Sequence, residues 1–319
     1  MKKESFLRKE KILEYGKNNN INALGFLKAE PFFRDMGRYN YAKEKGYLSS
    51  FVNINSNLDV IEGYKSIICI LVSYPNSNFN FPEEQDKKPE NIKYGKISSS
   101  SWGKDYHVVL KDILEQMAKY IQSISNMNKY YISVDTSPLS ERELAVRAGL
   151  GWIGKNTNLI NKDLGSFVFI GALFTDIEIF ELEENDISND YCGDCRLCID
   201  SCPVQAIDQK MRVLNTKLCL SQQTQEKDTE TDFVKKKIKD TRYIYGCDIC
   251  QKVCPWNSKE RVFNPLFKPK REEVYININE LLLESNSSFK RKYGHLSGSW
   301  RGKKVWQKNG KTILLDFDG

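Results

Sequence analysis

Residues 192–207 read CGDCRLCIDSCPVQAI, and residues 245–257 read YGCDICQKVCPWN. With Cys219, these stretches hold eight of the nine cysteines in the chain. Cys192, Cys195, Cys198 and Cys202 follow C-x2-C-x2-C-x3-C-P, the spacing that wraps a cubane 4Fe–4S cluster. Cys247, Cys250 and Cys254 repeat C-x2-C-x3-C-P and take their remaining partner from Cys219. Eight thiolates make two four-cysteine sites, so the pattern points to a protein that moves single electrons. Zinc is the competing reading. Zinc knuckles pair C-x2-C units across a loop, whereas three cysteines at x2 spacing followed by x3-Cys-Pro suit a cubane better.

In two-cluster ferredoxins the fourth cysteine of a run binds the other cluster, and the proline after it turns the chain away. Applied here, Cys192, Cys195, Cys198 and Cys254 hold cluster 1. Cys202, Cys219, Cys247 and Cys250 hold cluster 2. Such crossing places two clusters within easy electron exchange.

The 319 residues are 40% apolar and 28% charged, as in a soluble globular protein of one to three domains. The net charge of +6 lies entirely in residues 256–319, because residues 1–255 are balanced. The start, MKKESFLRKEK, has no apolar h-region, and no apolar run reaches the roughly 18 residues of a membrane span. The expected location is the cytoplasm, without contact to a membrane, where a disulfide framework is not expected. Cys69, inside SIICILV, reads as a buried strand thiol without chemistry.

Apolar spacing predicts a helix over 1–18, a short strand at Ala23–Leu27 and a helix from Pro31 to about Leu48. A buried strand follows at Ser66–Ser73, and residues 76–101 read as a long loop. Gly103–Gln122 carries Tyr106, Leu110, Ile113, Met117 and Tyr120 at helical spacing, with Tyr106 starting the inward face. Lys129–Val134 is a strand that delivers Asp135 at its end. Ser140 and Glu143 form a capping-box pattern before a helix over Glu141–Ala148. Thr157–Asn161 and Ser166–Asp176 read as two strands around a turn at Asp163–Gly165. Lys227–Lys239 reads as a solvated insertion, and residues 256–319 as a small helical appendage. The fold class expected is α+β or α/β, with a layered N-terminal domain ahead of a ferredoxin-like one.

Gly149-x-Gly151-x-x-Gly154 matches the dinucleotide fingerprint in letters only, because it follows a helix where the fingerprint should follow a strand. Asp105-x-His107 resembles the start of D-x-H-x-x-G, a pattern in which histidine ligates cobalt. Leu110 replaces its glycine, so that mode is not supported. His107 has two readings, a hydrogen-bonded helix histidine or a catalytic one beside Tyr106. Asp135 is either an Asx-type turn cap or a working acid at a strand end. Lys290–Lys311 holds eight Lys/Arg and no acid, with Tyr293, His295, Trp300 and Trp306 interleaved. It is either a solvated tail or a nucleic-acid contact, in which cations meet phosphates and rings stack on unpaired bases.

Several segments together resemble the epoxyqueuosine reductase family. They are SSWGKDYH (100–107), VDTSPLSERELAVRAGLGWIGKNTNLI (134–160), the two cysteine runs, and RGKKVWQKNG (301–310) as the closing R-x-x-x-x-W-x-R/K-N element. The resemblance implies cobalamin and two 4Fe–4S clusters as cofactors. It implies reduction of epoxyqueuosine to queuosine at the wobble position of tRNA, the last step of queuosine synthesis, in a family related to reductive dehalogenases. It further implies an external one-electron donor of flavodoxin or ferredoxin type, and a monomer.

Residue by residue, the resemblance makes Asp135 the proton donor and places Tyr106 and His107 beside the substrate face of the corrin. Ser98, Asp135, Arg142, Leu159 and Ile170 become corrinoid contacts. Arg142 is placed to pair with Asp135 or a corrin side chain. Arg301, Lys303, Lys304 and Trp306 become tRNA contacts. Ser98 falls where some relatives carry cysteine, and the stretch 53–59 lacks a basic residue and proline often seen there. Many relatives continue into helical HEAT-like repeats, whereas the sequence here stops at Gly319. The implied domains are 1–185 for the corrinoid-binding catalytic part, 186–258 for the ferredoxin-like part and 259–319 for the basic segment.

Two other readings compete. A dedicated electron-transfer module serving a partner needs only the cysteine region, and the roughly 190 residues before it favour an enzyme. A corrinoid reductase of a small molecule is disfavoured by the basic tail and by the lack of a twin-arginine signal.

Overall fold

The computed structural model describes residues 6–31, 34–49, 61–76, 79, 93–135, 139–180, 182, 190–228 and 231–315. The stretch 53–59 and residues 136–138 of the expected Asx-type turn lie outside them.

The run Ser66–Ser73 organises the N-terminal layer. All eight of its residues are buried, which is why it reads as continuously apolar. Its side chains alternate between two cores, as a strand requires. Ile68 and Ile70 pack with Ile12, Leu110, Leu114 and Leu173 on one face. Ile67, Cys69 and Leu71 pack with Leu144, Ala145 and Phe174 on the other. Cys69 is fully buried, and desolvation pushes its thiol far above the usual range, as expected of a packing thiol.

The sheet built on this strand has the order Ala23–Lys28, Ser66–Ser73, Val168–Thr175, Tyr130–Ser133, and every neighbouring pair is antiparallel. Helix Tyr106–Ile124 covers one face and helix Glu141–Arg147 the other. The mixed architecture is thus α+β in this layer. The turn expected at Asp163–Gly165 is present, closed by reciprocal backbone hydrogen bonds of 2.9 Å between Asn161 and Gly165, but the strands on either side of it pair elsewhere. Leu159–Ile160 pairs with Trp152–Ile153, while Val168–Thr175 enters the central sheet. Gly151 (φ 150°) permits that small hairpin, because a Cβ there would lie 2.1 Å from the Ile160 carbonyl oxygen. The first helix spans Lys9–Asn18, and Phe6–Leu7 ahead of it pairs with Glu178–Ile179.

A second sheet joins distant parts of the chain. Tyr94–Ile97, inside the stretch expected to be loop, is flanked by Tyr243–Tyr245 on one side and Tyr275–Asn277 on the other. The segment after 256 is therefore integral to the cysteine-bearing part and not an appendage. The expected insertion forms helix Asp232–Thr241, whose Val234 and Ile238 are buried. It packs with helix Lys303–Leu314 in a shared apolar core.

Trp306 is fully buried in that core. Its ring lies 5.1 Å from Phe289 and 5.3 Å from Tyr293, and its indole N–H donates to the Gly298 carbonyl at 3.1 Å. The expectation that Trp306 stacks on RNA is thereby corrected. One turn on, Asn309 donates to the carbonyls of Thr224 and Ile244, each at 2.7 Å. Trp306→Ala should destabilise the protein by about 3–5 kcal/mol, the usual cost of a large-to-small core change. Chemical denaturation followed by tryptophan fluorescence and circular dichroism checks this, and an unchanged midpoint would contradict the core role.

Candidate active site and cysteine cages

Asp105 caps helix Tyr106–Ile124, accepting the His107 backbone N–H at 3.0 Å. The same carboxylate oxygen lies 2.7 Å from His107 Nδ1, and Asp135 Oδ2 lies 3.2 Å from His107 Nε2. His107 thus sits between two carboxylates. A helix N-terminus disfavours an imidazolium by about 0.3–1 kcal/mol, and partial burial disfavours it too. Charge-assisted hydrogen bonds contribute about 1.5–3 kcal/mol each and win. Burial alone would lower the His107 pKa, but the bonds to Asp105 and Asp135 raise it to about 9.

The reciprocal effect falls on Asp135. The hydrogen bond from His107 holds its carboxyl below the usual carboxylate range, against the opposing pull of burial. Tyr106, which stacks on Phe169 at 4.2 Å, helps to lower the Asp135 carboxyl as well. Burial and the Asp135 charge keep the Tyr106 hydroxyl protonated. An Asp135 whose own burial keeps it protonated is what a proton donor at this position suggests. The shifts run the other way, raising His107 and lowering Asp135, which favours the proton on His107 beside an ionised Asp135.

These three residues line a cavity of about 740 Å³ with Phe169, Tyr245 and Trp300 among its other walls. Its size lies in the upper range of small-molecule sites. Ser100, Phe169 and Ser221 are common to it and to a second cavity of about 320 Å³, which Ser98 also lines. Arg142 faces a different cavity with Arg38 and Arg212, and its guanidinium donates to the Thr157 carbonyl. It does not pair with Asp135. Leu159 and Ile170 pack against the apolar cluster under helix Glu141–Arg147, while their neighbours Asn158 and Phe169 line the second cavity. Glu141 contacts the site only through the Asp135 backbone and was not singled out in the sequence. A glutamate in a first helical turn ordinarily reads as a dipole partner only.

The second cavity is ringed by Cys202, Cys219, Cys247 and Cys250. A third, of about 250 Å³, is ringed by Cys192, Cys195, Cys198 and Cys254. Among the described residues, no three His, Cys, Asp or Glu side chains converge on a single-ion point. Wide thiol rings around voids suit a multi-iron cubane better than one zinc. Burial and the neighbouring cysteines push Cys198 up to about 11, and burial raises Cys247 and Cys250 far above the usual thiol range. Four thiolates in such a ring need compensating cations, which iron supplies. Lys155 and Asn156 wedge between the rings. The buried Lys155 ammonium donates to the Gly193 and Cys195 carbonyls, and Asn156 reaches the Cys250 carbonyl at 3.5 Å.

Much of the basic tail is engaged in the fold. Lys303 donates to the Glu284 carbonyl at 2.7 Å, Arg301 to the Gln225 carbonyl at 2.7 Å and Lys308 to the Glu226 carbonyl at 2.9 Å. Lys290, Arg291, Lys304 and Lys311 remain exposed, as does Trp300 at 60%. His295 contacts Glu273 at 2.8 Å, and its carbonyl accepts the Asp105 backbone N–H at 2.8 Å.

Comparison with known proteins places this geometry. Residues 191–257 match the 4Fe-4S double cluster binding domain, and residues 58–136 match the family model of epoxyqueuosine reductase QueG. An epoxyqueuosine reductase of Lactococcus garvieae is 39% identical over 310 residues, covering 94% of this chain and 84% of the relative. The chain belongs to the epoxyqueuosine reductase family. A crystal structure of an epoxyqueuosine reductase with an epoxyqueuosine-modified tRNA-Tyr stem loop superposes with a TM-score of 0.86 at 33% identity, covering 96% of this chain and 80% of that one. The Bacillus subtilis epoxyqueuosine reductase, captured with its catalytic aspartate loop swung out of the active site, gives a TM-score of 0.83 at 32% identity with the same coverage. The described residues contain no helix long and apolar enough to cross a membrane.

A group whose pKa is raised on folding contributes stability below its unfolded value and loses it as pH rises through the folded one. For His107 that contribution is present below about pH 6.5 and vanishes through about pH 9. The stability gap between the native protein and His107→Gln should therefore shrink across that window. Urea denaturation at several pH values measures it, and a gap independent of pH would contradict the pairing.

Proposed function

We propose that this chain reduces epoxyqueuosine to queuosine at the wobble position of tRNA, using cobalamin and two 4Fe–4S clusters. The observation that carries the reading is that two cavities share walls. The His107–Asp135 pair opens on the larger, and that cavity adjoins, through Ser100, Phe169 and Ser221, the one ringed by Cys202, Cys219, Cys247 and Cys250. A proton-handling face and an electron-handling face thus lie to either side of shared walls.

The residues fit the implied groups. Cys192, Cys195, Cys198 and Cys254 would hold one cluster, and Cys202, Cys219, Cys247 and Cys250 the other. The second set would lie nearer the corrinoid, while the exposed Cys195 makes the first the entry for electrons from a flavodoxin- or ferredoxin-type donor. Ser98, Phe169 and Tyr106 would wall the corrinoid. When bound, the corrinoid supplies low-valent cobalt chemistry fed one electron at a time.

The protein's own part is protonic. Reduction of the epoxide to an alkene and water consumes two electrons and two protons. His107, charged at neutral pH and linked to Asp135, supplies a proton through the Asp135 carboxyl to the departing oxygen. Asp105 holds the imidazolium in line. Lys304, Lys290 and Arg291 would meet phosphates, and Trp300, at the cavity rim, offers a ring to an unpaired base. A tRNA substrate makes the cytoplasm the place of action, and the chain acts as a monomer.

Asp135→Asn preserves the tolerance for its left-handed backbone and removes the proton path. It should lower turnover of an epoxyqueuosine stem loop by about 10²–10⁴-fold while iron content and RNA affinity stay as in the native protein. Full activity in that variant would sink the assignment. Replacing Lys290 and Lys304 together by glutamine should flatten the plot of log affinity against log salt by about 0.7–0.9 for each phosphate that is no longer neutralised. Filter binding over a salt series reads that slope, and no change would remove these lysines from the RNA interface.

A further inference from the structure

Asp135 has a φ of 56°, in the left-handed region that non-glycine residues seldom occupy and that Asp and Asn tolerate best. This conformation carries the chain out of strand Tyr130–Ser133 and places the Asp135 carboxyl against His107. The contact that holds it comes from the next helix. Glu141 Oε1 accepts the Asp135 backbone N–H at 2.5 Å and the Ser133 hydroxyl at 3.0 Å. Glu141 is the first residue of its helix, whose N-cap is Ser140. Its side chain turns back to the strand end and bridges the last strand residue to the catalytic one.

We propose that Glu141 is a positioning residue, whose carboxyl oxygen clamps the backbone of Asp135 and so aims the Asp135 carboxyl at His107. The inference rests on the reading of His107 and Asp135 as the proton-delivering pair. Glu141 itself is not among the residues lining the large cavity, so it acts through Asp135 and not on the substrate. The charged and titratable groups that bear on it are Asp135 on the strand end, His107 and Tyr106 on the long helix, and Cys69 in the sheet.

Burial and the nearby Asp135 charge raise the Glu141 pKa to about 7. Near neutrality both forms are therefore populated, and both retain a carbonyl-type oxygen with a lone pair. The clamp thus needs an acceptor and does not need a charge. Glutamine supplies that acceptor, and alanine does not. A carboxyl serving as a proton source would respond in the opposite way, because glutamine would disable it as fully as alanine.

The experiment uses reconstituted holoenzyme and an epoxyqueuosine-bearing stem loop, together with NMR titration of the two histidines in labelled protein. Glu141→Ala should lower kcat by about ten- to a hundred-fold with KM within about twofold, as a small misplacement of a catalytic group does. Glu141→Gln should stay within about threefold of the native kcat. The His107 titration should fall from about 9 toward its ordinary value in Glu141→Ala and hold in Glu141→Gln. Native kcat in Glu141→Ala, an unmoved His107 titration there, or equal loss in Glu141→Gln would each overturn the proposal. If Glu141→Ala loses its iron, Glu141→Asp, which shortens the reach by one methylene, is read by the same criteria. Should the native protein fail to convert the stem loop, the functional reading falls, while the His107 titration still decides whether Glu141 positions Asp135.

Discussion

The four residues Tyr94–Ile97 hold the molecule together. Their strand hydrogen-bonds to Tyr243–Tyr245 on one edge and Tyr275–Asn277 on the other. Directly after it, the Ser98 N–H donates to the Tyr245 carbonyl at 2.9 Å and the Ser99 N–H to the buried Asp248 carboxylate at 2.8 Å. Asp248 lies between Cys247 and Cys250 in sequence. Desolvation raises its pKa to about 6 even though Ser99 and Lys96 favour its charge. The chain that leaves this strand runs through Ser99–Ser101 into the helix bearing His107. One short strand therefore fixes the distance between the cysteine rings and the proton-handling residues.

What was legible in the sequence was local. Cysteine spacing within each run lies within one or two turns of chain, the two-cluster ferredoxin pattern supplied the crossing between runs, and the cavities gather those same sets. The run 66–73 announced itself because both of its faces are buried. The strand Tyr94–Ile97 was hidden because it is four residues long, lies at the end of an Asn-, Pro- and Ser-rich stretch, and finds its partners about 150 and 180 residues away in sequence. Non-local pairing leaves no periodicity to read. Trp306 was misread for a related reason. Its flanking lysines suggest a surface, whereas long amphipathic side chains can lie beside a buried ring and carry their charges outward.

The site teaches a similar lesson about titration. Asp135 alone, at a strand end, invites the idea of an acid kept neutral by burial. Two carboxylates around one imidazole reverse that order, because their hydrogen bonds and charges together outweigh the desolvation of His107, the largest single influence on it. Only the three-dimensional arrangement sets these two shifts in opposite directions.

Asn309 gives the fold a further property. Its amide ties helix Lys303–Leu314 to the carbonyls of Thr224 and Ile244, and Thr224 in turn accepts the Gly246 N–H beside Cys247 at 2.9 Å. Iron binds only the folded arrangement of cysteines, so its binding energy is shared by everything that unfolds with them. Oxidative loss of a cluster would thus loosen the helix that presents Lys304 as well as halt electron flow. Such a molecule fails as a unit: whatever frees the iron also slackens the C-terminal helix.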